Sequence, residues 1–231
     1  MLRAPQLVTN ARMVYLVWIP ADPDAVAGLV PDGLTPGDGR PVFMNQYLVD
    51  DEKQISSAGS PGGWGAYSLT YLGADLAGLD ANEQTPGRWW THYLNSSDAM
   101  IRYAAAHGVP AAGGRTTLEL DGGALVATTF AEGKPVIRTT ARVDLGTPQR
   151  VNGQLRYVTR MGDELWSGRY PFVGDIAERF EVESVEFLES LHPVHALRPA
   201  DPLTITFGFY SPAISFCYPG GEGPLGSEQG S

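Results

Sequence analysis

The sequence predicts an α+β protein, mostly antiparallel β, closed into a barrel or cone around a pocket and carrying one or two short helices. Three observations predict it. Runs of β-branched and aromatic residues recur between Gly, Pro and Asp punctuation, two hairpins follow one another after Arg115, and only two stretches have helical composition. At 231 residues the chain is within the range of one β-rich domain with a sizeable core. A succession of strands avoids exposed edges by closing on itself, and a barrel of this size encloses one small ligand.

In chain order, Arg12 to Ile19, Pro41 to Val49 and Trp64 to Leu72 read as strands. Asp22 to Leu29 breaks that rhythm as a short helix, capped by Asp22, started by Pro23 and closed by Pro31. Trp89-Trp90-Thr91-His92-Tyr93 reads as a strand entering a helix over about 97–107, with Ser96, Ser97 and Asp98 as N-cap candidates and Gly108 with Pro110 as the stop. Strict alternation would put Trp90, His92 and Leu94 on one face and Trp89, Thr91 and Tyr93 on the other. Which face is inside is left open.

The hairpins are Thr117 to Leu120, a turn at Asp121-Gly122-Gly123, Ala124 to Phe130, a turn at Glu132-Gly133, and Pro135 to Val143. Leu155 to Arg160, Val182 to Leu188, Leu203 to Phe209 and Ile214 to Tyr218 are further strands. Asp163 and Glu164, beside Arg160 and Arg169, read as a solvated turn with ion pairs. The domain is expected over 1–219, with a flexible tail over 220–231 and a mobile loop at Gly59 to Gly63 near a pocket mouth.

A net charge of -10 with no Lys or Arg cluster argues against nucleic acid as a partner. The first residues lack the order of a signal peptide, and no apolar run approaches the ~18 residues that span a bilayer. No membrane partner and a cytoplasmic location are therefore expected. Cys217, the one cysteine, reads as a small buried hydrophobe. His192 and His195 flank Pro193 without a third ligand nearby, so neither a metal nor another cofactor is expected. No nucleophile-elbow, Walker or dinucleotide fingerprint is present.

The stretch Tyr93-Leu94-Asn95-Ser96-Ser97-Asp98-Ala99-Met100-Ile101, followed by Gly108-Val109-Pro110-Ala111-Ala112, resembles the acetoacetate decarboxylase family. Ala21-Asp22-Pro23-Asp24-Ala25-Val26 leading to Leu29-Val30-Pro31-Asp32-Gly33-Leu34 is similar to that family's early helix and its exit, and Gly65-Ala66-Tyr67 and the strand after Gly123 also fit. The resemblance covers roughly residues 10–145 and implies the cone-shaped barrel with its pocket inside. In the family this stretch ends in Pro-Lys-Lys, and a lysine forms an imine with the substrate ketone. Here the matching positions are Ala111 and Ala112, and the accompanying glutamates match Leu69 and Ala105. The two lysines of the chain, Lys53 and Lys134, fall in an acidic loop and at a hairpin turn, where both read as solvated.

The resemblance keeps Arg12, which matches an arginine that helps hold the family's substrate carboxylate. Its plain alternative is a surface strand arginine. His92 falls where the family has an apolar cavity residue, so it is a candidate acid, base or donor, against a histidine bonded to backbone on the outer face. Tyr67 is the third candidate donor. Trp18, Leu69, Trp90, Val109 and Ala111 are the expected substrate-binding positions, and aromatic residues among them are also ordinary core.

Two functions follow. One is an enzyme without imine chemistry, catalysing a cyclisation, isomerisation or addition, possible pericyclic steps included, of a small and largely apolar substrate in polyketide-type specialised metabolism. The other is a binding protein that carries such a molecule. A third and weaker reading is decarboxylase or aldolase-type chemistry through Lys53 or Lys134. Related folds commonly assemble, so a homo-oligomer is a further expectation.

Overall fold

The structure, a computed structural model, describes residues 4–57, 64–81 and 85–226. The elements in chain order are β1 (Gln6–Trp18), α1 (Pro23–Gly28), β2 (Val42–Val49), β3 (Ile55–Ser57), β4 (Tyr67–Leu76), β5 (Gly87–Asn95), α2 (Asp98–Ala105), β6 (Ala111–Asp121), β7 (Ala124–Ala131), β8 (Lys134–Asp144), β9 (Gln149–Met161), β10 (Glu164–Ile176), β11 (Arg179–Phe187), β12 (Ile205–Tyr218) and β13 (Gly223–Pro224). Both helices are capped by side chains that accept from the first turn, Asp22 from Ala25 N–H and Ser97 from Met100 N–H.

Seven strands close a ring in the order β5-β4-β2-β1-β12-β10-β9. The ring shuts where β9 returns to β5, pairing Tyr157 with Arg88 and Val158 with Trp89 in parallel. β6, β7, β8 and β11 leave the ring at β5 and form a second sheet across the outside of β1, β2 and β4. Strand alternation thus serves two cores. On β1, Met13, Tyr15 and Val17 point into the barrel, and Val14, Leu16 and Trp18 point out into the layer between barrel and sheet. That layer also holds a hydrogen-bonded group of Gln46, Thr70, Thr116, Thr129 and Thr139.

One irregularity decides the site. The β4–β5 ladder shifts between Leu72 and Gly73, so that Leu72 faces His92, Gly73 faces Trp90, and Thr91 is an extra residue. Gly73 permits this bulge, because a Cβ there would lie 1.9 Å from the Trp89 carbonyl oxygen.

Several sequence expectations differ from this structure. The two strands expected at 203–209 and 214–218 are one, β12, and its register with β1 shifts around Pro212. The turn expected at Asp163 and Glu164 opens a full strand, β10, that is not among the strands expected from the sequence. Part of the expected tail is laid against the barrel: β13 pairs with Trp166 and Ser167, and Glu222 accepts from the Tyr157 hydroxyl at 2.7 Å. Residues 227–231 and the expected loop at 59–63 lie outside the described residues. Among the described residues, no helix is long and apolar enough to cross a membrane.

Candidate functional site

The barrel interior is built from tyrosine. Eight of the ten tyrosines of the chain belong to the inner core, with Trp90 among them. Trp90 stacks on Tyr157 at 4.7 Å between ring centres and lies 4.9 Å from Tyr71, and Tyr71 bonds Tyr170 through their hydroxyls at 2.5 Å. This layer separates two spaces. A small one of about 30 Å³ lies toward α2, where Trp90 and Val109 form part of the wall.

The larger space, about 120 Å³, lies at the other end. A water needs roughly 10–15 Å³, so the cavity has room for a molecule of several water volumes. Its walls are mostly apolar, with Met13, Leu155, Phe172, Phe209, Ile214 and Phe216 from four strands, and Phe207, 56% exposed, marks its solvent side. The polar groups are few: Tyr15, Asn45, Thr85, Arg88 and Tyr170.

Arg88 and Asp75 are directly opposite on β5 and β4, and form a buried ion pair with side chains 6% and 7% exposed. Arg88 Nε donates to the Tyr15 hydroxyl at 2.9 Å, and its guanidinium carbon lies 5.0 Å from the Phe43 ring centre. Burial raises the Asp75 carboxyl to about 6, against the opposing pull of Arg88. Burial also raises the Tyr15 phenol, with Arg88 again pulling down. Among the described residues Arg88 is the one hydrogen-bond partner of the Tyr15 hydroxyl, which accepts there, so that its own hydrogen is not engaged by a described group.

The expected site residues are dispersed. Arg12 is on the outward face of β1, paired with Asp50 at 2.6 Å and donating to the Leu118 carbonyl. His92 also faces outward, with its ring centre 6.4 Å from that of His192; the bulge at Thr91 separates it from Trp90, which faces inward. Trp18 is in the outer layer, donating to the Leu197 carbonyl. Tyr67 and Leu69 are inner-core residues of β4, with the Tyr67 hydroxyl 2.8 Å from that of Tyr47. Ala111 packs against the inner core, opposite Tyr93 on β5. None of these seven residues, nor Val109, lines the 120 Å³ cavity.

The chain's two lysines are at the surface: Lys53 is exposed in a 3-10 turn, and Lys134 is exposed 3.9 Å from Glu189. Among the described residues no group of three metal ligands comes together, and His192 caps its own turn by accepting from Val194 N–H. Tyr15, Asn45, Asp75 and Arg88 are not among the site residues expected from the sequence. Two of them carried a signal: Asp75 stands between Ala74 and Leu76 in an apolar stretch, and Arg88 directly precedes Trp89 and Trp90.

This barrel matches known structures along nearly its whole length. An acetoacetate decarboxylase structure superposes with a TM-score of 0.72 at 14% identity, over 96% of this chain and 90% of the other. The chain has the acetoacetate decarboxylase fold. The same fold is found in the enduracididine biosynthesis enzyme MppR (TM-score 0.70, 14% identity, 97% and 89% covered) and in acetoacetate decarboxylase from Legionella pneumophila (0.69, 12%, 96% and 88%). No family model matches the chain, and no curated protein matches it in sequence. The acetoacetate decarboxylase fold here encloses a cavity whose buried cation is an arginine, Arg88, and not a lysine.

Proposed function

We propose that this chain is an enzyme that acts on a small, largely apolar substrate in the 120 Å³ cavity without imine formation, by a cyclisation, isomerisation or addition. The observation that carries this reading is the chain of contacts Asp75–Arg88–Tyr15, which ends in a phenol on the wall of an aromatic-lined space. Asp75 holds Arg88, Arg88 holds the Tyr15 oxygen, and Tyr15 donates to a substrate carbonyl. In a poorly hydrated cavity such a fixed donor stabilises developing negative charge without reorganising, while the walls select one reactive conformer. Both lysines are exposed, which supports a reaction without an amine. MppR, with the same fold, is named for enduracididine biosynthesis and was solved with pyruvate and with the condensation product of pyruvate and imidazole 4-carboxaldehyde. That supports a place in specialised metabolism.

The test is to delete the gene in its native host, identify the small molecules that change, and add purified protein to the altered extract. Conversion of an accumulated compound to an isomer of equal mass supports the proposal; loss of carbon dioxide would return the chain to decarboxylation, and binding without conversion would make it a carrier. Tyr15→Phe is expected to slow the conversion about 10²-fold, the usual loss for one such donor, with His92→Gln close to wild type.

A further inference from the structure

We infer that the ligand of the barrel cavity is a neutral, hydroxyl-bearing aromatic carbonyl compound, whose hydroxyl donates to Asn45 while its carbonyl accepts from Tyr15. The inference rests on the proposed site and names the class of molecule it takes.

Asn45 is 1% exposed, forms part of the cavity wall, and stands directly across from Tyr15 in the β1–β2 ladder. Its Nδ2 donates to the Tyr71 hydroxyl at 2.8 Å, and Tyr71 is in turn engaged with Tyr170. Among the described residues its buried Oδ1 has no hydrogen-bond partner. A buried acceptor is normally satisfied, so one left open on a cavity wall calls for a donor from the occupant. Tyr15 offers the opposite polarity, because its oxygen is already taken by Arg88. The pair therefore reads one acceptor and one donor on the same molecule.

Charge narrows the class further. Arg88 is already paired with Asp75, and among the described residues the remaining wall is apolar or uncharged, so a carboxylate would enter without a counter-charge. The phenylalanines at 172, 207, 209 and 216 face the rest of the ligand, and the 5.5 Å stack of Tyr15 on Phe209 places an aromatic surface beside the donor.

The experiment titrates the full chain with four probes of nearly equal size, 4-hydroxyacetophenone, 4-methoxyacetophenone, acetophenone and 4-hydroxybenzoate, followed by calorimetry. The expected result is that 4-hydroxyacetophenone binds about ten-fold or more tightly than each of the others, since a site built to receive a hydroxyl rejects analogues without it. Asn45→Leu should bring the hydroxy and methoxy ketones to equal affinity while Asn45→Asp retains a preference; a melting curve for each variant establishes folding, and the wild-type comparison stands without them. Equal affinity for the hydroxy and methoxy ketones, tighter binding of 4-hydroxybenzoate, or no binding of any probe would overturn the inference. Because the readout is binding alone, a hydroxyl preference without turnover in the extract assay would sink the catalytic reading and leave this one standing. Turnover of a substrate without a hydroxyl would do the reverse.

Discussion

Burial holds the His92 imidazole at about 4, below the ordinary histidine value, and His192 adds to the effect. The folded state keeps it neutral, while the unfolded chain protonates it below about 6.5. Between those values the folded state binds fewer protons than the unfolded one, so this residue's contribution is present at pH 7 and is lost as the pH falls toward 4. Asp75 works in the opposite sense. Its folded value of about 6 lies above the unfolded one, so its contribution to stability falls as the pH rises through that window. Removing the imidazole with His92→Gln should therefore reduce the stability lost on acidification from pH 7 to pH 5. Urea midpoints at the two pH values measure it, and a loss as large as in the wild type would mean that His92 is not buried neutral.

The bulge on β5 sets both faces of the site strand. It turns Trp90 inward and His92 outward, and it also brings Asp75 opposite Arg88; continued without the shift, the register beyond Leu72 would set Asp75 against Trp89. Gly73→Ala places a methyl group against the Trp89 carbonyl, with expected destabilisation of about 3 kcal/mol and loss of tight cavity binding. A variant with wild-type melting temperature and affinity would show that the bulge does not depend on Gly73. This also marks how far the sequence could be read. Most strands, both helices and both hairpins were legible from periodicity, caps and turn residues. β10 was not, because Gly168, Pro171 and Gly174 interrupt its pattern, two of them making room where a Cβ would meet Tyr157 or Ile214. The site was less legible than the fold. Its ion pair depends on a register shift, and periodicity carries no record of an inserted residue.

Across the whole molecule, the cavity wall comes from the barrel interior, and the outer layer takes no part in it. Leu125, buried in the outer layer, has no part in the cavity wall. Leu125→Ala should cost about 2–5 kcal/mol in chemical denaturation and leave probe affinity unchanged. Weakened affinity in a folded Leu125→Ala protein would mean that the outer sheet shapes the cavity. The inner core has a different consequence, arising from the position of Trp90 between Tyr71 and Tyr157. Three rings so close in a fixed chiral arrangement couple their electronic transitions, and Tyr71 is bonded to Tyr170, a cavity wall residue. These rings make an internal optical reporter, and filling the cavity is expected to change the near-ultraviolet circular dichroism of the unlabelled chain.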